Sequence, residues 1–277
     1  MTRIQSLQIT CVYMPATEPH SEWTDLVERL WHGFTECRTK REWADDKVKS
    51  QRWINQAHNA VKQQLIDCGA PVDRICPELQ SYDGMPTVGR ELSVPGFMKD
   101  KNVDVAVAPS KPGDFDASIV VAVRSQWMSV GKNVNSNLET FVGEATNMHL
   151  AFPGMVLGQL MILPVYENKI ADETGAQATT TPVNIAKFIR TYGRMAGRQS
   201  AHDREFLYEE ASLLIVDNSG PVAAPITSLD QLRESTTAGS SARKALDQLS
   251  DEEFARVSCT GMVDRLVTRF HERHGAF

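Results

Sequence analysis

The sequence predicts an α/β fold in which helices flank a mixed central sheet. Three observations predict it: apolar runs with the length of buried strands, amphipathic stretches at helical spacing between them, and no internal repeat. With 277 residues, 42% of them hydrophobic, the chain can bury a sizeable core. We read residues 1–277 as one α/β domain, with an N-terminal strand and helical part (1–68), a core (90–220) and a C-terminal helical part (221–277).

Taken in order, residues 4–14 alternate loosely and contain β-branched side chains, which predicts a strand. From Thr24 the apolar positions shift to Leu26, Val27, Leu30, Trp31 and Phe34, the spacing of a helix capped by Ser21 or Thr24. Residues 42–67 predict a second helix that buries Trp53, Ile54, Ala57, Val61 and Leu65 and stops before Gly69 and Pro71. Pro71, Pro77, Pro86 and Pro95, with Gly84, Gly89 and Gly96, break residues 69–99 into turns around one or two short strands.

Two strands are expected next, at 103–108 and 117–125. Residues 117–123 are apolar on both faces, as in a central strand covered on each side. Residues 151–164 and 213–217 read as further buried strands, and helices are expected at 137–149, 183–199 and 251–273. Residues 168–182 and 235–242 are small and polar, so they read as solvated loops.

Composition narrows the function. A formal charge of −6 and a pI near 5.7 exclude a global basic field, so contacts to a polyanion must come from local clusters of cations. Cys11, Cys37, Cys68, Cys76 and Cys259 are odd in number and scattered, without CxxC or zinc-finger spacing, and read as reduced thiols. No charged leader precedes a long apolar run, and no stretch reaches the roughly 18 apolar residues of a membrane span. A cytoplasmic protein with no membrane partner is expected. GxGxxG after a strand, GxxxxGK[ST], HExxH and GxSxG are all missing, which removes the usual signatures of dinucleotide enzymes, P-loop NTPases, zincins and α/β-hydrolases.

The chemistry concentrates in residues 103–147. Strand parity puts Asp104 on one face with Ala106 and Ala108, small neighbours that leave room for a metal ion and a phosphate. In the next strand Val120, Ala122 and Arg124 share a face, and a cation at the end of an apolar strand needs an anionic partner. Then come SVGKN, with Lys132, and an amphipathic segment whose polar face holds Asn137, Thr140, Glu144 and Asn147. Acids and cations delivered together from strands and a helix are what a metal-dependent phosphodiesterase needs to hold Mg²⁺ and activate water.

The layout VDVAVA, VAVRSQ, SVGKN and Glu144 resembles the PD-(D/E)XK nuclease family, which includes most type II restriction endonucleases. In that family an Asp on one strand and an acid-x-Lys on the next surround the metal. Here Ala122 stands at the acid position and Arg124 at the lysine position. An arginine stays protonated at every working pH, so it binds phosphate but does not serve as a general base. The resemblance implies that Lys132 replaces the lysine and that Glu144, displaced to a helix, replaces the acid.

What the resemblance implies is a restriction-endonuclease-like fold and a Mg²⁺-dependent endonuclease acting on double-stranded DNA. Asp104 and Glu144 would be the metal ligands, Lys132 would activate water, and Arg124 would complete the catalytic set. Gln126, Ser129 and Asn133 would contact substrate. Cutting both strands of a duplex favours a homodimer. The alternative is a nuclease-fold protein with a decayed site that binds nucleic acid without cleaving it. A basic stripe of Lys187, Arg190, Arg194 and Arg198 can track phosphates, with a solvated helix face as the competing reading.

Competing assignments remain open at this level. Asp104 can pair with Arg124 as a structural ion pair, Glu144 can lie on a solvated helix face, and Lys132 and Asn133 can be loop and cap residues. Asp114 and Asp116 compete with Asp104, though PGDFD reads as a turn. Glu91 is a further candidate for the metal shell. His149 and His202 have no partner at metal-ligand spacing and read as structural.

Overall fold

In the computed structural model the strand β5 (Ile119–Ser125) runs through the middle of a six-stranded sheet, and β6 (Val156–Pro164) beside it is buried at every position. The structure describes residues 20–36, 41, 51–78, 91–169 and 179–277. The strand expected at 4–14 and the first part of the second helix, 42–50, lie outside the described residues.

The sheet order is β1 (Ile75–Cys76), β4 (Val105–Val107), β5, β6, β9 (Glu210–Asp217), β10 (Ala224–Pro225). The pairs β5/β6 and β6/β9 are parallel, and the outer pairs are antiparallel. A parallel neighbour requires a crossover. α3 (Val130–Ala151) carries the chain from β5 to β6, and α4 (Ile185–Met195) lies on the route from β6 to β9.

Both faces of the sheet are covered. On one, α1 (His20–Glu36), α2 (Gln51–Asp67) and α8 (Met262–His274) bury Leu26, Val61 and Leu266 against Val105, Val121 and Ile162. On the other, α3 and α4 bury Phe141 and Tyr192 against Val120 and Met161. The short helices α5 (Leu229–Ser235), α6 (Ser241–Leu246) and α7 (Asp251–Ala255) close this second core. A mixed sheet flanked by helices is therefore the architecture, as the alternating pattern predicts.

Several boundaries differ from expectation. α1 includes Ser21 and Thr24, so neither is its N-cap. The strand expected at 103–108 is broken at Asp104 into β3 (Lys101–Val103) and β4, and β3 pairs instead with β2 (Leu92–Val94). Part of the loop expected at 168–182 is a hairpin, β7 (Tyr166–Lys169) with β8 (Thr179–Pro182). The helix expected at 251–273 is two helices, because Gly261 adopts a left-handed φ of 68° between them.

The most consequential difference is the start of α3 at Val130 rather than residue 137. Gly131, Asn133 and Asn135 are weak helix formers that obscure its first turns. Its cap is tertiary: Glu167 on β7 accepts from the Ser129 and Val130 amides at 2.7 and 3.1 Å. No local cap residue signals this start, and Ser129 itself is left-handed at φ 53°.

Candidate active site

The break at Asp104 shapes the site. The register that pairs Val105 with Val121 brings Asp104 level with Ala122, and Asp104 Oδ2 accepts a hydrogen bond from the Val123 amide at 3.0 Å. A carboxylate held by a strand amide is oriented rather than free to swing. Its partner is thus the β5 backbone, and Arg124 finds its anion elsewhere.

That anion is Glu144. From the inner face of α3, Glu144 Oε1 receives Arg124 Nη2 at 3.1 Å and forms a very short ion pair with Lys101 Nζ of β3. The Glu144 side chain is 13% exposed, so this is a partly desolvated triad rather than a surface pair. Arg124 is 41% exposed and keeps one side open to an incoming ligand.

Asp104, Lys101, Ala122, Glu144 and Tyr208 line one small recess of about 30 Å³ that opens to solvent. Ala122 and Gly158 form part of its wall without long side chains. The absence of an acid at 122 leaves the room into which Glu144 reaches. Tyr208 donates to the Phe141 carbonyl at 2.9 Å, and burial together with Glu144 pushes its phenol well up, so it stays neutral.

Two further groups border the site. Gln159 on β6 stands in register with Ala122 on the same face, fully buried, and its Oε1 has no hydrogen-bond partner among the described residues. His58 on α2 is buried and feels Asp104 and Arg124; burial lowers it to about 4, against the pull of Asp104, so it is neutral. Neither they nor Lys101 stand out in the sequence. Lys101 lies three positions before Asp104, on a turn-bounded strand whose pairing only the fold reveals.

Lys132 lies elsewhere. It is exposed on the same helix as Glu144, and twelve residues separate them by about 18 Å along the axis and about 120° around it. The structure does not bring Lys132 beside Glu144; Lys101 is the lysine that pairs with the carboxylate. Gln126, Ser129 and Asn133 gather with Lys132 at the start of α3. Gln126 holds that turn by donating to the Ser129 carbonyl at 3.1 Å and accepting from Asn137 at 2.7 Å, while the Asn133 amide donates to the Ser129 carbonyl.

The basic stripe is reduced by one. Lys187, Arg190 and Arg194 lie on α4, with Lys187 bonded to Asn135 at 2.9 Å and Arg190 reaching Gln248. Arg198 falls beyond the helix end, which Gly197 turns away at a φ of 102°. It is fully buried, bound to Glu209 at 3.1 Å and to the carbonyls of Pro153 and Ala201, and is structural.

Of the remaining candidates, Asp116 caps the loop before β6 by accepting from the Gly154 amide. His149 is buried between the Glu205 carbonyl and Glu209, a structural position as expected. Glu91 precedes β2, and the pairing of Leu92 with Val103 brings its backbone level with Asp104. Among the described residues no three His, Cys, Asp or Glu side chains come together as a metal cluster.

The residues present nonetheless fit a hard cation. Asp104 and Glu144 line one recess, and the Gln159 oxygen, without a partner among the described residues, lies on the same face of the sheet as Ala122. Mg²⁺ commonly takes one or two carboxylates and completes its shell with water and substrate oxygens, so two acids suffice. No helix among the described residues is long and apolar enough to cross a membrane. No protein-family model matches this chain, and neither a curated protein nor a solved structure matches it.

Proposed function

We propose that the chain is a Mg²⁺-dependent DNA endonuclease, of the type II restriction kind, in a restriction-endonuclease-like fold. The observation that carries this reading is the convergence of Lys101 and Arg124 on Glu144 above the gap at Ala122, with Asp104 at the break between β3 and β4. An acid missing from its strand position is supplied from a helix, and a lysine missing from the same strand is supplied from the next hairpin.

Asp104 and Glu144 would hold the metal, whose contribution when bound is to acidify water and neutralise charge on the phosphate. Lys101 orients the attacking water and guards its proton transfer, a task the always-charged Arg124 does not share. Arg124, open on one side, grips the scissile phosphate through its guanidinium. Lys132, Lys187, Arg190 and Arg194 track more distant phosphates, and double-strand cleavage calls for a homodimer.

The test is incubation of the full chain with plasmid and phage DNA in Mg²⁺, with Ca²⁺ and Glu144→Gln as controls. Discrete fragments that vanish in both controls support the reading; intact DNA on every substrate sinks it. One observation favours a second reading, a nucleic-acid-binding protein whose site has decayed: Glu144 is already neutralised by two cations and must give up one to take a metal. Metal-independent DNA binding without cleavage is its signature.

A further inference from the structure

Met98 is the most exposed large hydrophobic side chain among the described residues, at 85%, and its neighbour Phe97 is 65% exposed. They sit on the turn between β2 and β3, and this turn is held firmly. The Asn147 side chain accepts from the Met98 and Lys99 amides at 2.8 and 3.3 Å and donates to the Lys99 carbonyl at 3.0 Å. The Asn147 carbonyl accepts from the Phe97 amide at 2.9 Å. Gly96 lies so close that a Cβ there would come within 2.0 Å of Asn147 Nδ2. A buried asparagine and a required glycine thus fix two large apolar side chains in solvent, a placement that hydrophobic burial alone opposes.

The turn is coupled to the recess at both ends. Asn147 lies one turn beyond Glu144 on α3, and Met98 lies three residues before Lys101. Three residues span at most about 10 Å, roughly three base-pair steps of about 3.4 Å along a duplex axis. From Lys101 and Arg124 that reach covers the bases flanking a bound phosphate.

We propose that Phe97 and Met98 form an apolar wedge that packs against an unstacked nucleobase of the strand whose phosphate lies on Lys101 and Arg124. This rests on the nuclease reading and refines its substrate to DNA distorted beside the cut. Insertion of apolar side chains between base steps is an established way to kink a duplex, and aromatic side chains hold unstacked bases. A second copy of the chain fits the surface less well. Two side chains flanked by Lys99 and Asp100 offer far less than the roughly 800 Å² per partner of a stable interface.

The experiment uses the full chain in Ca²⁺ with single-stranded and duplex oligonucleotides that each carry one 2-aminopurine, read by anisotropy and 2-aminopurine fluorescence. Wild type should change the fluorescence on binding, and the Phe97→Ala/Met98→Ala double variant should abolish that change and bind about tenfold more weakly or worse. Lys101→Ala should weaken binding but keep the fluorescence change at saturation. The wedge is overturned by a double variant with unaltered affinity and fluorescence, or by one that sediments as monomer where wild type is a dimer, which assigns the patch to self-association. No DNA binding by wild type overturns wedge and nuclease together. Binding with the fluorescence change but no plasmid cleavage in Mg²⁺ keeps the wedge and removes the nuclease.

Discussion

Lys101 and Glu144, 43 residues apart in sequence, form an ion pair at the centre of the recess, and Arg124 joins the same carboxylate oxygen from the neighbouring strand. The pairing ties three elements, β3, β5 and α3, to one atom. Glu144 is 13% exposed, but Lys101 and Arg124 are 27% and 41% exposed, so both cations stay partly hydrated when the carboxylate is neutralised, the triad contributes modestly to stability, and its geometry matters for binding. Glu144→Gln keeps the side-chain shape and removes the charge. It should lower cleavage by about 10²-fold or more while the thermal midpoint moves by only a few degrees, about 1 kcal/mol. A plasmid-nicking assay beside a melting curve checks both; a large drop in the midpoint with activity retained would make Glu144 structural.

Lys101 and Lys132 separate the two assignments of the lysine. Lys132 is exposed at the far end of α3, where it meets only a distant phosphate, so Lys132→Ala should weaken DNA binding while leaving the single-turnover rate at saturating enzyme within about twofold. Lys101→Ala should depress that rate by about 10²-fold and leave Mn²⁺ binding measurable by calorimetry, because both carboxylates remain. The reverse ranking of the two variants would return the role to Lys132.

How much of this is legible in the sequence depends on how local the cause is. The strands at 117–125 and 213–217 and the amphipathic face carrying Glu144 announce themselves, because burial on both faces or on one stripe dictates residue type at each position. Asp104, Arg124 and Glu144 can therefore be singled out as a group. Lys101 cannot, since its partner is chosen by the pairing of β2 with β3. The start of α3 is hidden for the same kind of reason: Glu167, 37 residues from Val130, supplies the cap that Ser129 does not. Arg198 continues the α4 spacing in sequence, yet Gly197 ends the pattern and turns it inward to Glu209.

Lys62 on α2 is buried, and among the described residues it makes two long hydrogen bonds, 3.4 Å each, to Asn59 and to the Glu78 carbonyl. Burial lowers it to about 8, slightly offset by Cys76, from an unfolded value of 10.5. Between those values the unfolded chain holds one more proton than the folded one, so stability should rise with pH across that window. Below the window the folded protein carries a buried ammonium that has no ion-pair partner among the described residues. Lys62→Met should therefore stabilise the protein at neutral pH by about 1 kcal/mol or more and remove the rise above pH 8. Urea titrations of both proteins across the range check this, and equal slopes would refute it.

Glu209, just before β9, ties β6 to two arginines. It is 3% exposed and binds Arg198 at 3.1 Å, Arg273 at 2.7 Å and the Leu157 amide at 2.7 Å. Burial opposes its ionisation, but His149, Arg273 and the Leu157 amide together outweigh burial and hold its carboxyl below 4.5. A carboxylate depressed in the folded state contributes stability that is complete above its unfolded value and is lost as pH falls through the folded one. Acid should therefore destabilise the wild type below pH 4.5. Glu209→Gln strands the buried Arg198 and the partly buried Arg273, so it should cost about 3–5 kcal/mol at neutral pH. It should also lose less additional stability than wild type on acidification to about pH 3. Urea midpoints at the two pH values test the pair of effects, and a variant that loses as much as wild type in acid would place the acid sensitivity in other carboxylates.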